Sequence, residues 1–346
     1  MKTQFTYLTS AELTDIGRRR KNNEDAMVSL PGQGVFCVAD GMGGAHGGEV
    51  ASKAVVDALM NAFLESPAAA YAVTANAAAT VFELAMNEAS QWIKNRADQL
   101  GVSGMGSTVV GLVFDRVTPS QGIALHAGDS RAYRMRHHRL EQLTTDHSVA
   151  AAAGLPDDST LPPMFRGVIT RAVGLEETVP LDFTHFDVLA GDLFLLCSDG
   201  LDKMLSYHRI QKILRKHDSE PLEKIAKFLV DEAVQAGGDD NVTVMVIRVS
   251  QDLPLGSAME IPPETLALEQ LEAANPESSG SASRLGAHDE TGESASVVGT
   301  FTKSNAATFD VEAGGAVSTE SRLWFWLLFV LVFSAGVATF LFLKMW

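Results

Sequence analysis

Four aspartates in this sequence stand at or near the end of an apolar run, each with a glycine close by. They are Asp40, Asp129, Asp199 and Asp240, found in Val-Ala-Asp-Gly, Ala-Gly-Asp-Ser, Cys-Ser-Asp-Gly and Gly-Gly-Asp-Asp-Asn. Glycine lets a strand turn sharply at its end and lets the backbone approach a ligand closely. One such aspartate usually marks an ordinary turn. Four of them predict that several buried strands deliver carboxylates to one edge of a sheet.

Carboxylates that converge in this way repel one another strongly in a partly dry site. Divalent cations relieve the repulsion, and a site made only of oxygen ligands favours Mg²⁺ or Mn²⁺ over Zn²⁺. Two such ions about 4 Å apart could hold a bridging water, lower its pKa and stabilise the entering and leaving oxygens of a phosphoryl displacement. The carboxylates are therefore compatible with phosphoryl chemistry.

The alternation of apolar runs and turns in the first 250 residues predicts an α+β fold. Antiparallel strands with helices grouped apart from them are typical of this class. We predict Gly128–Arg131 to be a tight hairpin turn between two strands. The predicted strands are Val35–Ala39, Thr108–Phe114, Gly122–Ala127, Arg131–Arg136, Asp192–Cys197 and Val242–Val249. The predicted helices are Gly48–Leu64, Ala68–Gln99 with a break, and Leu222–Gln235.

The composition changes after residue 250, which predicts three segments: a catalytic domain at 1–250, a linker at 251–321 and an anchor at 322–346. From residue 250 to 321 the chain has 12 Asp+Glu against 2 Lys+Arg and few aromatic residues. A segment with so little apolar surface is expected to be a disordered acidic linker, although Glu264–Ala274 could form a short helix. The formal net charge of −16 argues against a nucleic-acid partner, which would need a basic face.

An apolar segment from Leu323 to Leu343 predicts a transmembrane helix. Its 21 residues carry no charge and lie between Arg322 and Lys344. At ~1.5 Å per residue they would span roughly 31 Å, the thickness of a bilayer's hydrocarbon core. We expect a single-pass tail anchor in the inner (cytoplasmic) membrane, with the catalytic domain in the cytoplasm.

The sequence also indicates a reducing compartment. Cys37 and Cys197 each lie in an apolar run, where buried free thiols are expected. The first residues lack the apolar region of a secretory signal peptide.

Several motifs in the first 250 residues resemble those of the metal-dependent protein phosphatases, the type 2C or PPM class, in their bacterial form. Their order and spacing fit the family and cover about residues 6 to 250. Besides the four aspartate motifs, the matching stretches are Asp15-Ile16-Gly17, Arg20, Asn23-Glu24-Asp25-Ala26, Gly47–Ser52, Gly106-Ser107-Thr108, Thr145–Ser148 and Ile169–Gly174.

The resemblance implies a four-layer α-β-β-α sandwich of two antiparallel sheets flanked by helices, with the metal site at one end. It implies that Asp40 bridges two Mn²⁺ or Mg²⁺ ions, that Gly41 gives a backbone carbonyl, and that Asp199 and Asp240 complete one ion's shell. Glu24 would act through bound water. Asp129 would help Asp199 to hold a third, weaker ion. Arg20 would bind the substrate phosphate through its planar guanidinium.

One position departs from the eukaryotic members, which carry His after the first Asp-Gly as the proposed general acid. Here that residue is Met42, so no general acid is assigned. His46 could lie near the site but is more typical of plain surface, and His126 is expected to be packed. Asp25 is expected to accept hydrogen bonds rather than bind metal, and Asp239 to be a neighbour in the turn.

Two further features of the motifs stay open at this point. For Asp146 and His147 a structural role is favoured over catalysis. Residues Val149–Arg166 resemble the family's mobile flap beside the site, which could influence substrate choice.

The expected function is hydrolysis of phosphoserine and phosphothreonine by a metal-bound water. The partners would be phosphorylated proteins, the substrates of a serine/threonine kinase. One alternative is a membrane-tethered regulatory adaptor that keeps the fold without the chemistry, although such a protein would be expected to lose ligand carboxylates. Another is a phosphatase dedicated to a single regulatory protein.

Overall fold

Eleven strands form two antiparallel sheets in the computed structural model, which describes residues 7–253 except 45–46, 67–68, 70–71 and 156–157. The strands are β1 Leu8–Asp15, β2 Asp25–Leu30, β3 Val35–Met42, β4 Gly106–Ser107, β5 Val109–Phe114, β6 Gln121–Ala127, β7 Arg131–Arg136, β8 Arg139–Gln142, β9 Asp182–Asp187, β10 Leu193–Cys197 and β11 Val242–Val249.

The first sheet has the order β1-β11-β10-β7-β8. Its register pairs Asp15 with Val242 and Cys197 with Val244, so the end of β10 meets the beginning of β11. The second sheet has the order β2-β3-β5-β6-β9, and the short β4 pairs with the end of β3. In the second sheet Asp25 lies opposite Asp40.

Helices cover the outer face of each sheet. Helices α1 and α2 pack on the second sheet, and α4, α5 and α6 pack on the first. The helices are α1 Gly47–Met60, which continues as a π-helical turn at Asn61–Glu65, α2 Ala75–Leu100, α3 Val149–Ala152, α4 Asp199–Met204, α5 Tyr207–Lys216 and α6 Leu222–Ala236, with a 3₁₀ turn at Pro163–Phe165.

Strand periodicity divides the apolar residues between three cores. In β10, Leu193 and Leu195 point to the helices while Phe194 and Leu196 point between the sheets. There the ring of Phe114 makes edge contacts with Phe36, Phe186 and Phe194 at centroid distances of 5.4 to 5.8 Å. Side chains alternate across a strand, so each sheet contributes to both a helix-facing and a sheet-facing core. The predicted layered α+β sandwich is confirmed.

The two cysteines are free and buried, as predicted. Cys37 points to the core under α1 and α2, and Cys197 to the core under α4, α5 and α6. The two thiols therefore lie on opposite sides of the sandwich.

The predicted hairpin at Gly128–Arg131 is wrong. Strand β6 belongs to the second sheet and β7 to the first, so this connection carries the chain from one sheet to the other. Gly128 has φ of +115°, and a Cβ there would lie 2.6 Å from the Thr108 side chain. Two adjacent strands joined by Gly-Asp look like a hairpin in sequence, because the choice of pairing partner depends on distant strands.

The predicted helix Ala68–Gln99 begins later than expected, at Ala75. Thr74 caps it, accepting a hydrogen bond from the Ala77 N–H at 3.2 Å. The other long predicted helices correspond to α1 with its π-helical turn and to α6.

Within the described part of the chain, no helix is both long and apolar enough to cross a membrane. The predicted linker beyond residue 253 and the predicted anchor at 322–346 lie outside the described residues.

Candidate active site

Strand β3 ends at the site and carries Asp40 and Gly41. The Gly41 N–H donates to the Glu24 carbonyl at 3.0 Å, and the Asp40 carbonyl accepts from the Thr108 N–H at 2.8 Å. Helix α1 begins so close to this strand end that a Cβ on Gly41 would lie 2.0 Å from the Gly48 carbonyl oxygen. Only glycine fits at this position. The hydrogen bond from Gly41 to the Glu24 carbonyl holds the neighbouring Asp40 close to Glu24.

Asp199 and Asp240 come from neighbouring strands of the first sheet. Asp199 follows β10, and Asp240 precedes β11. The Ser198 N–H donates to the Thr243 carbonyl at 3.0 Å, which keeps the two strand ends together. Asp129 reaches the same region from the connection between the sheets.

The loop between β1 and β2 supplies Arg20 and Glu24, and Asn241 holds this loop in place. The Asn241 side chain donates to the Ile16 carbonyl at 2.9 Å and accepts from the Glu24 N–H at 2.8 Å. As a result Arg20 Nη2 lies 2.8 Å from the Asp240 carboxylate and Nη1 lies 3.3 Å from Glu24 Oε2.

A single cavity of about 440 Å³ collects these side chains at one end of the sandwich. Every residue that the sequence analysis proposed for the site lines it: Arg20, Glu24, Asp40, Gly41, Asp129, Asp199 and Asp240. The roles of the individual residues stay predictions.

The five carboxylates in this cavity outnumber the two cationic side chains that line it. Burial and the nearby Asp25, Asp199 and Asp129 raise the pKa of Asp40 well above its usual range. Burial and the charge of Asp199 raise the pKa of Asp129 to about 7. The buried Oδ1 of Asp199 has no hydrogen-bond partner among the described residues. Hard oxygen donors that are held close and left without partners fit divalent cations.

Asp25 supports the strand ends. Its Oδ2 accepts hydrogen bonds from Ser198 Oγ at 2.8 Å and from Thr243 Oγ1 at 2.6 Å, linking the two sheets. Burial, with smaller contributions from the charges of Asp199 and Asp240, raises its pKa to about 7. These contacts agree with the expected role of Asp25 as a hydrogen-bond acceptor behind the site.

Three other residues from the sequence motifs have structural contacts. Asp146 accepts two hydrogen bonds from Arg131 at 2.8 and 2.7 Å. Asp239 forms an exposed ion pair with Arg19 at 2.9 Å. His126 is packed, as predicted, with its Nε2 2.7 Å from the Thr145 carbonyl. His46 lies outside the described residues.

The rings of His126 and His147 stack at a centroid distance of 4.5 Å with 7° between their planes. Together with Asp182 they place three ligand-type atoms within 4.8 Å of one another. The lone pairs of two parallel rings do not converge on one ion, so this cluster does not form a metal site in the described conformation.

The predicted flap borders a second cavity of about 650 Å³ next to the first. Its helix α3 and its Phe165 line that cavity together with Asp129 and Asp199. Met164 and Phe165 are exposed at the flap surface.

Two residues at the site were missed in the sequence analysis. Lys203 lines the cavity, and its Nζ contacts Asp199 Oδ2 and lies 3.6 Å from Asp240 Oδ2. Asn241 orients the loop that carries Arg20. The Asp-Asp-Asn motif signalled Asn241, whereas the position of Lys203 follows only once a helix is known to begin at Asp199.

Known proteins share this architecture. The family model "Protein phosphatase 2C" matches residues 17–233. The serine/threonine phosphatase stp of Listeria monocytogenes is 32% identical over 243 residues, which cover 68% of this chain and 93% of that protein.

Solved structures are similar to this chain as well. PppA, a regulatory component of the type VI secretion system (T6SS) in Pseudomonas aeruginosa, is 35% identical with a TM-score of 0.61, covering 70% of this chain and 98% of PppA. The catalytic domain of PstP in complex with two manganese ions is 31% identical with a TM-score of 0.58, covering 70% of this chain and 98% of that structure. The chain belongs to the protein phosphatase 2C family, among the bacterial serine/threonine phosphatases of the PPM class.

Proposed function

We propose that this chain hydrolyses phosphoserine and phosphothreonine on proteins with the help of two Mn²⁺ or Mg²⁺ ions. The observation that carries the proposal is the single cavity that gathers Arg20 and five carboxylates at one end of the sandwich. The substrates would be proteins phosphorylated by a serine/threonine kinase. The relatives named as serine/threonine phosphatases support this substrate class.

The ions would be held by Asp40, Asp199, Asp240 and the Gly41 carbonyl, with Glu24 acting through water. When bound, a pair of such ions supplies a water of lowered pKa and positive charge for the phosphoryl oxygens. The manganese pair in PstP, which has the same fold, supports this assignment.

Arg20 would bind the substrate phosphate. Its guanidinium presents a planar pair of donors that matches two phosphate oxygens. Asp240 and Glu24 hold the Arg20 side chain over the cavity through contacts of 2.8 and 3.3 Å. Met42 also lines the cavity and has no proton to donate, so this position cannot supply a general acid.

A phosphothreonine peptide assay tests the proposal. The full chain should release phosphate only when Mn²⁺ or Mg²⁺ is present, and Asp40→Asn should abolish release. Asp239→Asn is the matched control, because this neighbouring aspartate pairs with Arg19 at the surface and does not line the cavity. Full activity after removal of metal with EDTA would contradict the two-ion mechanism.

A non-catalytic adaptor is the weaker candidate. Such a protein has no need of the charged cavity, and retaining five mutually repelling carboxylates there is unfavourable unless cations compensate them. All seven proposed site residues are present and line the cavity.

We also propose that an acidic linker at 251–321 and a membrane-spanning helix at 322–346 follow the catalytic domain and hold it at the cytoplasmic side of the inner membrane. The uncharged run of 21 residues from Leu323 to Leu343 supports the anchor. Deleting 322–346 should leave peptide hydrolysis unchanged and move the protein from the membrane fraction to the supernatant. A truncated chain that still sediments with membranes would refute the anchor.

A further inference from the structure

Lys203 is placed beside the site by the geometry of α4. This helix begins at Asp199, and Lys203 lies four residues later, so both side chains lie on one face of the helix. The Lys203 ammonium contacts Asp199 Oδ2 and lies 3.6 Å from Asp240 Oδ2. The Lys203 side chain is 46% exposed, and the two carboxylates it approaches are only 17% and 18% exposed.

Lys203 lines both the cavity of the candidate active site and the second cavity, which the flap borders. Three charged residues line both cavities, namely Asp129, Asp199 and Lys203. Asp129 and Asp199 are the pair that the family resemblance associates with a third, weaker ion. The chain therefore has its own cation on Asp199, one of the two carboxylates that would hold that ion.

An exposed ion pair at the beginning of α6 shows what an ordinary lysine does. Lys224 pairs with Glu220 at the same four-residue spacing and at 3.1 Å, but both side chains face solvent, with exposures of 62% and 39%. Such a surface ion pair contributes little to the stability of the fold. Lys224 also lines neither of the two cavities, so it keeps no metal ion out of them. Lys203 differs because it contacts one carboxylate of the cavity and lies near a second.

We propose that Lys203 supplies the positive charge that a third divalent ion would bring to Asp129 and Asp199, so that this chain binds two ions rather than three. The inference rests on the proposed two-ion function. Lys203 acts through Asp199 and is therefore a positioning residue. An ammonium and a divalent cation on the same carboxylate lie within a few ångströms, where their repulsion lowers ion affinity by about tenfold or more.

Counting bound Mn²⁺ on the full chain tests the proposal, with free Mn²⁺ followed by electron paramagnetic resonance and folding checked by thermal melting. We expect wild type, Lys203→Arg and the control Lys224→Gln to bind two ions. We expect Lys203→Gln and Lys203→Asp to bind a third, with affinity at least about tenfold above any third site in wild type. Adding Asp129→Asn to Lys203→Asp should remove that third ion and leave the other two.

Any one of three results would overturn the proposal while leaving the proposed function intact. Two of them are a wild-type chain that already binds three ions, and folded Lys203→Gln and Lys203→Asp chains that both stop at two. A third ion on Lys203→Arg would do the same, because that variant keeps the charge. A wild-type chain that binds fewer than two ions would instead contradict the proposed function on which this inference rests.

Discussion

Replacing Gly41 by alanine tests how tightly the fold holds the end of β3. A Cβ at this position would lie 2.0 Å from the Gly48 carbonyl oxygen and 2.7 Å from the Glu24 carbonyl oxygen. Real Cβ contacts are essentially never shorter than 3.0 Å. Both neighbours are backbone atoms, so a side-chain rotation cannot relieve the clash.

The strand end must therefore move away from α1 by about 1 Å, and Asp40 moves with it. A displacement of about 1 Å at a catalytic group can cost about 100-fold in rate. We expect Gly41→Ala to lower kcat/KM for a phosphothreonine peptide by about that factor and to weaken Mn²⁺ binding.

Steady-state kinetics and Mn²⁺ titration measure the two effects. Gly47→Ala is the matched control, because it adds the same methyl group at the beginning of the same helix, where the nearest atoms lie 3.6 Å away. It should behave as wild type. A folded Gly41→Ala chain with wild-type kcat/KM and wild-type Mn²⁺ affinity would refute the reasoning.

Three further predictions follow from individual contacts. Arg20→Lys should raise KM for the peptide about tenfold, because an ammonium cannot present the paired donors of a guanidinium; an unchanged KM in steady-state kinetics would exclude Arg20 as the phosphate ligand. Asp192→Ala should lower the free energy of unfolding by about 2 kcal/mol in urea titrations, because it removes the buried carboxylate that accepts from Arg136 at 2.7 and 2.6 Å and leaves Arg136 only its contacts with Asp187; a loss under 1 kcal/mol would contradict this. Mn²⁺ at 100 times its Kd should stabilise the folded chain by about 2.7 kcal/mol per site, seen as a higher Tm that EDTA reverses; no change in Tm would argue against ion binding to the native state.

The local parts of the site could be predicted from sequence. An aspartate close to a glycine at or near the end of an apolar run is a short-range pattern, and it identified Asp40, Asp129, Asp199 and Asp240. Central strands such as β5 and β10 were also predictable, because strands covered on both faces have continuous apolar residues.

Edge strands and long-range contacts could not be predicted in the same way. Strand β9 lies at a sheet edge with most of its side chains exposed, so its sequence lacks an apolar run. The crossing from β6 to β7 depends on which distant strands pair. The role of Asn241 depends on a loop more than 200 residues earlier in the chain. The Asn241 side chain donates a hydrogen bond to the Ile16 carbonyl of that loop.

Carboxylates from both sheets meet at one end of the sandwich, where we propose that they hold a pair of hard cations. Anomalous diffraction from crystals of the full chain grown with Mn²⁺ tests it most directly. We predict two manganese peaks in the cavity, with Asp40 in contact with both and with Asp199 and Asp240 in contact with at least one. A fully occupied manganese site elsewhere, with no peak between these three carboxylates, would contradict the account.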